Sequence, residues 1–229
     1  MDNVVEIRDL HKVYRDGFDV HALRGVDLDV ARGEFMTIAG PSGSGKTTLL
    51  NLLGGLDRPT EGRVFIEGQE VTAMSRSELA DMRRRRLGFV FQSFNLIPVL
   101  TARENVEFAL ILRGVGAERR RALAQNVLEQ VSLDEGMRER RPLDLSGGQQ
   151  QRVAVARAIV GEPAVVLADE PTANLDTENA LALLDLMERL NEERQATFIF
   201  STHDPRVMER ARRRVTLRDG EVVSDERVA

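Results

Sequence analysis

Apolar runs that suit buried strands alternate with helical patterns at both ends of this chain, and its middle is mainly helical. Residues 35–39 and 165–168 are short runs without a charged residue, as expected of strands buried on both faces of a parallel sheet. The pattern predicts strands at 4–10, 35–39, 63–66, 87–91, 165–168 and 197–201, and a hairpin over 215–223 that turns at Asp219-Gly220.

Two capping boxes mark helix starts, because in each a Ser or Thr precedes a Glu by three residues and can satisfy the free N–H groups of a first turn. Ser75 with Glu78 opens a helix towards residue 86. Thr101 with Glu104 opens a helical stretch that extends, with interruptions, to about residue 131. Further helices are predicted at 47–53 and at 177–191, where apolar residues recur at helical spacing: Leu181, Leu184, Met187 and Leu190.

This order of elements predicts an α/β fold in one domain. A parallel core of residues 1–92 and 161–229 is interrupted by a helical insertion of residues 93–160. The length of 229 residues is sufficient for a substantial core. We therefore expect any ligand to bind at the carboxyl edge of the core sheet.

Composition and charge narrow the class of protein. The chain is 42% hydrophobic and 30% charged, and it lacks both a run of about 18 apolar residues and a signal-peptide pattern, so we expect a cytoplasmic protein. There is no cysteine, which excludes thiol chemistry, and the net charge of −5 argues against a nucleic-acid partner. Two arginine clusters, 83–86 and 210–214, suit either an acidic or lipid partner or a solvated helix face.

A phosphate-binding loop lies between the predicted strand at 35–39 and the helix at 47–53. It matches the pattern G-x-x-x-x-G-K-[ST] with the residues Gly40, Pro41, Ser42, Gly43, Ser44, Gly45, Lys46 and Thr47. Its glycines allow main-chain N–H groups to surround phosphate oxygens, at the positive end of a helix. We expect Lys46 to neutralise the β- and γ-phosphates and Thr47 to hold Mg²⁺.

Two carboxylates end the apolar strand at 165–168. Asp169 is placed to support Mg²⁺, and Glu170 is placed to act as the general base that polarises an attacking water. The apolar run before them and Pro171 after them favour a buried strand end over an ordinary surface pair.

A second anion site is predicted in the helical insertion. Ser146 is a strong N-cap residue, and Gly147-Gly148 exposes main-chain N–H groups at a helix start. This site belongs to the segment Leu145, Ser146, Gly147, Gly148 and Gln149, which we call the signature segment.

With the phosphate loop, the signature segment makes the chain resemble the ATPase subunit of an ATP-binding-cassette (ABC) transporter. Further motifs appear in the family's order: residues 88–92 ending at Gln92, residues 174–176, and residues 201–204 with His203. The resemblance implies a RecA-like P-loop NTPase core with an N-terminal antiparallel β subdomain and the helical subdomain. It also implies hydrolysis of ATP with Mg²⁺ by a homodimer, in which each signature segment caps the ATP held by the other subunit.

The same resemblance implies roles for individual residues. His203 would contact the γ-phosphate, Gln92 would touch Mg²⁺ or the attacking water, and Tyr14 would stack on adenine. The remaining implied contacts are Val20 and Thr48 with ATP, and Asn174, Leu175 and Asp176 with the partner subunit.

Finer matches resemble the lipoprotein-releasing and macrolide-exporter branch of the family. They lie at 53–57, 94–106 and 168–176, although Thr47 and Ala173 depart from the usual serine and glycine. That branch implies an integral membrane permease, docking near residues 93–105, and a peripheral position on the cytoplasmic face of the inner (plasma) membrane. A cell-division ATPase that signals to cell-wall hydrolases, and a soluble ABC ATPase of repair or translation, are the alternatives. The apolar residues of the docking region are Phe94, Leu96, Ile97, Val99 and Leu100.

Overall fold

A computed structural model describes residues 3–228, which form two sheets with helices packed against them. The strands are β1 (Asn3–Asp16), β2 (Phe18–Ala31), β3 (Phe35–Ala39), β4 (Glu61–Ile66), β5 (Gln69–Glu70), β6 (Leu87–Val90), β7 (Val165–Asp169), β8 (Thr197–Thr202), β9 (Arg213–Arg218) and β10 (Glu221–Arg227). The helices are α1 (Lys46–Leu53), α2 (Arg76–Arg86), α3 (Ala102–Leu112), α4 (Ala117–Gln130), α5 (Glu135–Arg138), α6 (Gly147–Ile159), α7 (Thr177–Arg194) and α8 (Pro205–Arg210).

The larger sheet has the order β10-β9-β3-β8-β7-β6. Within this sheet, each pair of neighbouring strands from β9 to β6 is parallel, and only the edge strand β10 runs antiparallel to its neighbour β9. The smaller sheet, β2-β1-β4-β5, is antiparallel throughout. This confirms the predicted α/β class and the small antiparallel sheet near the N-terminus.

The central strands bury both faces, because successive side chains of a strand point to opposite sides of a sheet. On β8, Phe198 and Phe200 enter one hydrophobic cluster and Ile199 enters the other. The first cluster includes the helices between β6 and β7, and the second includes α1, α2 and the antiparallel sheet. The carboxyl ends of β3, β7 and β8 therefore meet at one edge, which is where the phosphate loop begins.

The chain between β6 and β7 carries α3, α4, α5 and α6. Its last helix returns to the sheet, where a Cβ at Gly88 would lie 2.5 Å from the Ala158 carbonyl oxygen. That close approach packs α6 directly on β6. Within residues 3–228, no helix combines the length and the hydropathy of a bilayer span.

The predicted strand at 4–10 is too short, because β1 continues to residue 16, and its partner β2 was not predicted. Both strands contain irregularities that interrupt alternation: Asp9 has a φ of 47° and Gly25 a φ of 76°. The pairing register shifts between Ile7 and Leu10. These two buried apolar residues are therefore three positions apart, whereas a regular strand places residues of one face two positions apart. The strand predicted at 87–91 ends at Val90, and the interrupted helical stretch predicted to about residue 131 consists of α3 and α4. Helices α5 and α8 were also missed.

Candidate active site

The loop between β3 and α1 forms one wall of a cleft of about 600 Å³. Gly40 and Gly45 have φ angles of 149° and 104°. A Cβ at Gly40 would lie 2.1 Å from the Leu217 carbonyl oxygen, and a Cβ at Gly45 would lie 2.4 Å from that of Ala22. Both positions therefore require glycine. Because no side chain caps α1, the N–H groups of its first turn are open to an anion.

Lys46 crosses this loop from the first turn of α1. Its side chain is buried, and Nζ donates to the carbonyl oxygens of Gly40 at 2.8 Å and of Pro41 at 2.9 Å. An ammonium has three N–H donors, so one remains for a ligand. The Ser44 hydroxyl is buried in the same loop without a hydrogen-bond partner among the described atoms. A bound polyphosphate would supply acceptors for both groups.

Thr47 and Asp169 bring a hydroxyl and a carboxylate together at the end of β7. The Thr47 hydroxyl donates to Asp169 Oδ1 at 3.2 Å. Among the described residues, no group of three or more His, Cys, Asp or Glu side chains is placed to hold a metal ion. This donor set fits Mg²⁺, which keeps several waters and is usually bound by one or two carboxylates together with substrate phosphates.

Glu170 follows β7 with a φ of 44°, which is unusual for a residue other than glycine. Its N–H donates to the Ser201 carbonyl oxygen at 2.9 Å, which fixes its main chain against β8. The Thr202 hydroxyl donates to Glu170 Oε2 at 3.0 Å, and His203 Nδ1 lies 2.5 Å from Oε1. Glu170 is therefore held in one orientation, next to an imidazole that is 72% exposed.

Gln92 lines the cleft at the point where the chain leaves the core sheet. Its carbonyl oxygen accepts a hydrogen bond from the Asn174 side chain at 2.9 Å. The predicted glutamine and the 174–176 segment are thus in direct contact.

The aromatic end of the cleft is lined by Tyr14 of β1 and Val20 of β2, which are paired across the two strands. The Tyr14 hydroxyl donates to Asp57 Oδ2 at 2.9 Å. Burial, followed by this hydrogen bond, raises the pKa of Tyr14 above its ordinary value. The phenol is therefore neutral at physiological pH.

The signature segment begins α6 as predicted. Ser146 accepts from the N–H of Gln149, whose side chain accepts from the N–H of Ser146. Gly148 packs against α7, where a Cβ would lie 2.4 Å from Asn179 Oδ1. Asp176 caps α7, and hydrogen bonds from the main chain and side chain of Asn179 lower its pKa. The signature segment and the 174–176 segment are therefore neighbours.

Most of the predicted nucleotide-binding residues line the cleft. Of the residues that the structure describes, those of the signature segment are not part of its lining. The cleft also contains three residues that were not predicted as site residues, His21, Ala22 and Ala173. Thr202 was missed as well, although its place beside His203 at a strand end was a usable signal. The predicted residues that line the cleft are Tyr14, Val20, Pro41, Ser42, Gly43, Gly45, Lys46, Thr47, Thr48, Gln92, Glu170 and His203.

A glycine loop and a lysine follow one parallel strand, and an aspartate and a glutamate follow a strand two places away in the same sheet. This arrangement defines the class of P-loop nucleoside triphosphatases. The family model described as ABC transporter matches residues 23–173. The chain belongs to this family, and it is an ABC ATPase that uses ATP and Mg²⁺.

Several relatives are similar to nearly the whole of this chain. An uncharacterized ABC transporter ATP-binding protein of Thermotoga maritima is 49% identical over 99% of this chain and 97% of its own. The cassette MJ0796 of Methanocaldococcus jannaschii is 44% identical, and its dimeric structure in a post-hydrolysis state with ADP and Pi superposes with a TM-score of 0.91, covering 98% of this chain and 99% of that one. The macrolide export ATP-binding/permease protein MacB of Syntrophobacter fumaroxidans is 47% identical over 95% of this chain, but this chain spans only 31% of that protein.

Proposed function

We propose that this chain is the ATP-hydrolysing subunit of a transporter of the lipoprotein-release and macrolide-export type, and that two copies close around two ATP molecules to drive a membrane permease. The observation that carries the proposal is the position of the signature segment. It offers a capped helix start with two glycines, yet it lies outside the cleft that holds the phosphate loop and Glu170. A second copy would supply the missing wall.

Within one subunit, the residues divide the work on ATP. Lys46 and the N–H groups at the start of α1 hold the β- and γ-phosphates, and Tyr14 with Val20 holds the base. Thr47 and Asp169 would hold Mg²⁺, with Gln92 beside them. When bound, this ion neutralises charge on the phosphate oxygens. Support for this division comes from the Lys46 and Thr47 hydrogen bonds and from the unpartnered Ser44 hydroxyl.

Glu170 is the general base in this proposal. Its carboxylate accepts a hydrogen bond from Thr202 and contacts His203, so it is presented to the cleft in one orientation. The imidazole of His203 is 72% exposed beside Glu170, where it would meet a γ-phosphate bound in the cleft. Replacing Glu170 with Gln keeps the shape but removes the base, so hydrolysis should fall by about 10²- to 10⁴-fold while ATP binding persists.

The same arrangement supports dimerisation. The 174–176 segment contacts both Gln92 and the start of α6, so a partner that engages the signature segment also touches this segment. MJ0796, a relative at 44% identity, is described as dimeric in two structures. We infer a homodimer in the ATP-bound state, with Asn174, Leu175 and Asp176 at its interface.

We place the docking region for the permease where the chain leaves the core and enters the helical subdomain. We propose a core of residues 1–92 and 161–229 and a helical subdomain of residues 93–160, whose first part, residues 93–105, is the docking region. A groove of about 290 Å³ opens beside this region, lined by Phe89, Phe91 and Leu112 among others. The macrolide-exporter relatives, whose names include a permease, support a position on the cytoplasmic face of the plasma membrane.

Exposure within the docking region decides which residue tests it. Leu96 is half-buried against the core, so a charge there would act on folding. Val99 is 70% exposed and offers a cleaner probe. Val99→Glu should abolish stimulation by the permease and leave basal hydrolysis intact. Val223→Glu on the opposite edge strand, also exposed, is the matched control.

Partner capture tests the transport assignment. Tagged Glu170→Gln protein, captured from solubilised membranes with Mg-ATP, should retain a membrane protein with few transmembrane helices, identified by mass spectrometry. Val99→Glu in the same background should lose that protein. Recovery of only soluble repair or translation factors would refute the transport assignment and leave the ATPase assignment standing.

A further inference from the structure

The aromatic end of the cleft is held by a small cluster of residues from two parts of the chain. Lys12 and Tyr14 lie on β1, and Asp57 lies just beyond the end of α1. The Tyr14 hydroxyl donates to Asp57 Oδ2 at 2.9 Å, and Lys12 Nζ lies 4.6 Å from the centroid of the Tyr14 ring. The cluster therefore joins the strand that carries the aromatic ring to the helix that begins at the phosphate loop.

The ion pair at the centre of this cluster is partly withdrawn from water. Lys12 Nζ lies 2.9 Å from Asp57, with side chains 12% and 31% exposed, and it also donates to the Arg58 carbonyl oxygen at 2.7 Å. Burial opposes the ionisation of Asp57, but hydrogen bonds from Lys12, from the Arg58 N–H and from Tyr14 bring its pKa below the ordinary value. The Asp57 carboxylate is thus ionised at neutral pH and accepts hydrogen bonds from three donors, Lys12, the Arg58 N–H and Tyr14.

The geometry leaves one ring face for a ligand. Lys12 lies over one face of the Tyr14 ring, and Tyr14, which is 39% exposed as a residue, also lines the cleft. Thr48 of α1 lines the same cleft. A ring that is already fixed loses little conformational freedom when a base stacks on it, which favours binding.

We propose that Lys12 and Asp57 are positioning residues for the base of a nucleoside triphosphate. They hold the Tyr14 ring in its stacking orientation before the nucleotide arrives, and they connect it to α1, so that the base and the phosphates meet one preformed surface. This inference rests on the proposed stacking of the base on Tyr14.

Two probes separate the base site from the phosphate site. Isothermal titration of the whole chain in a Glu170→Gln background, which suppresses hydrolysis, with ATP and with inorganic tripolyphosphate, both with Mg²⁺, reports each affinity. Asp57→Ala should weaken ATP about fivefold and Tyr14→Phe, which loses only the hydroxyl, about threefold. Tripolyphosphate affinity should not change in either variant. Arg58→Ala, whose side chain points to the Met74 carbonyl oxygen, is the matched control and should leave both affinities unchanged.

A double-mutant cycle tests whether Asp57 acts through Tyr14. Adding Asp57→Ala to Tyr14→Ala should cause no further loss of ATP affinity. The proposal is overturned if the full loss persists in that background, or if Asp57→Ala weakens tripolyphosphate as much as ATP. Should Asp57→Ala fail to fold, Tyr14→Phe with unchanged ATP affinity overturns it as well. If Tyr14→Ala itself leaves ATP binding intact, the stacking of the base on Tyr14 is refuted. That result differs from those above, which refute only the positioning role of Asp57.

Discussion

Glu170 shows how single residues fix a reactive group. Its main chain adopts a left-handed conformation, and its N–H donates to Ser201, so the carboxylate emerges at a set angle from the strand end. Thr202 and His203 then hold its two oxygens from the neighbouring strand. The orientation of the proposed base is therefore determined by the end of β8 rather than by β7 alone.

Removing the Thr202 hydroxyl should loosen that orientation. In Thr202→Val we expect kcat for ATP hydrolysis to fall about tenfold, because a hydrogen bond to a charged group is lost, with little change in KM. Steady-state kinetics at saturating Mg-ATP measure the effect. Thr202→Ser retains the hydroxyl and should stay near wild type. A change in KM alone would contradict a role in placing Glu170.

Several site residues were readable from spacing alone, and others were not. The phosphate loop needs a fixed series of residue types on one short segment, so Lys46 and Thr47 could be named from the sequence. Asp57 and Thr202 act by touching residues that are distant along the chain or on a neighbouring strand, and no local pattern marks such a contact. Their roles required the structure.

Among the elements, those with local start signals were predicted best. The capping box of α2 is present as expected, with Ser75 accepting from the Glu78 N–H and Glu78 accepting from the Ser75 N–H. Strands β1 and β2 were predicted poorly because their irregularities at Asp9 and Gly25 break the two-residue alternation. The order of strands in the larger sheet was also beyond the sequence, since it depends on contacts between distant segments.

The α2 cap offers a prediction that is independent of the active site. Ser75→Ala should lower the free energy of unfolding by about 1 kcal/mol, since the first turn loses a side-chain acceptor. Urea denaturation followed by circular dichroism measures the change, and ATP hydrolysis should be unaffected. Glu78→Gln keeps the side-chain acceptor and serves as the control. Equal stability of Ser75→Ala and wild type would mean that the cap contributes nothing.

For the whole molecule, carboxylates that are ion-paired with arginines predict how the stability of the fold depends on pH. Hydrogen bonds from Arg206 lower the pKa of Asp204, and hydrogen bonds from Arg213 lower that of Asp225. Because the folded pKa lies below the unfolded one, their contribution is present at neutral pH and is lost as the pH falls below about 4. Thermal unfolding between pH 7 and pH 3 should show Tm dropping in that acidic range. Asp225→Asn should drop less steeply there, and an identical slope would contradict the assignment.

The final prediction concerns the assembly, because in the proposed dimer the cleft of one copy is completed by the signature segment of the other. Glu170→Gln removes the base. Gly148→Asp disrupts the signature segment, because a Cβ at residue 148 would lie 2.4 Å from Asn179 Oδ1. Each variant alone should be inactive. In a mixed dimer of two-fold symmetry, one site carries both defects and the other carries neither.

Mixing the two inactive proteins in equal amounts should therefore restore hydrolysis. If the sites work independently, half of the dimers are mixed and each has one intact site, so about a quarter of wild-type activity is expected. A phosphate-release assay measures the recovery, and size-exclusion chromatography with Mg-ATP verifies that mixed dimers form. Because each protein keeps the element that the other has lost, recovery can come only from a site shared between chains. Mixed dimers without activity would contradict independent shared sites.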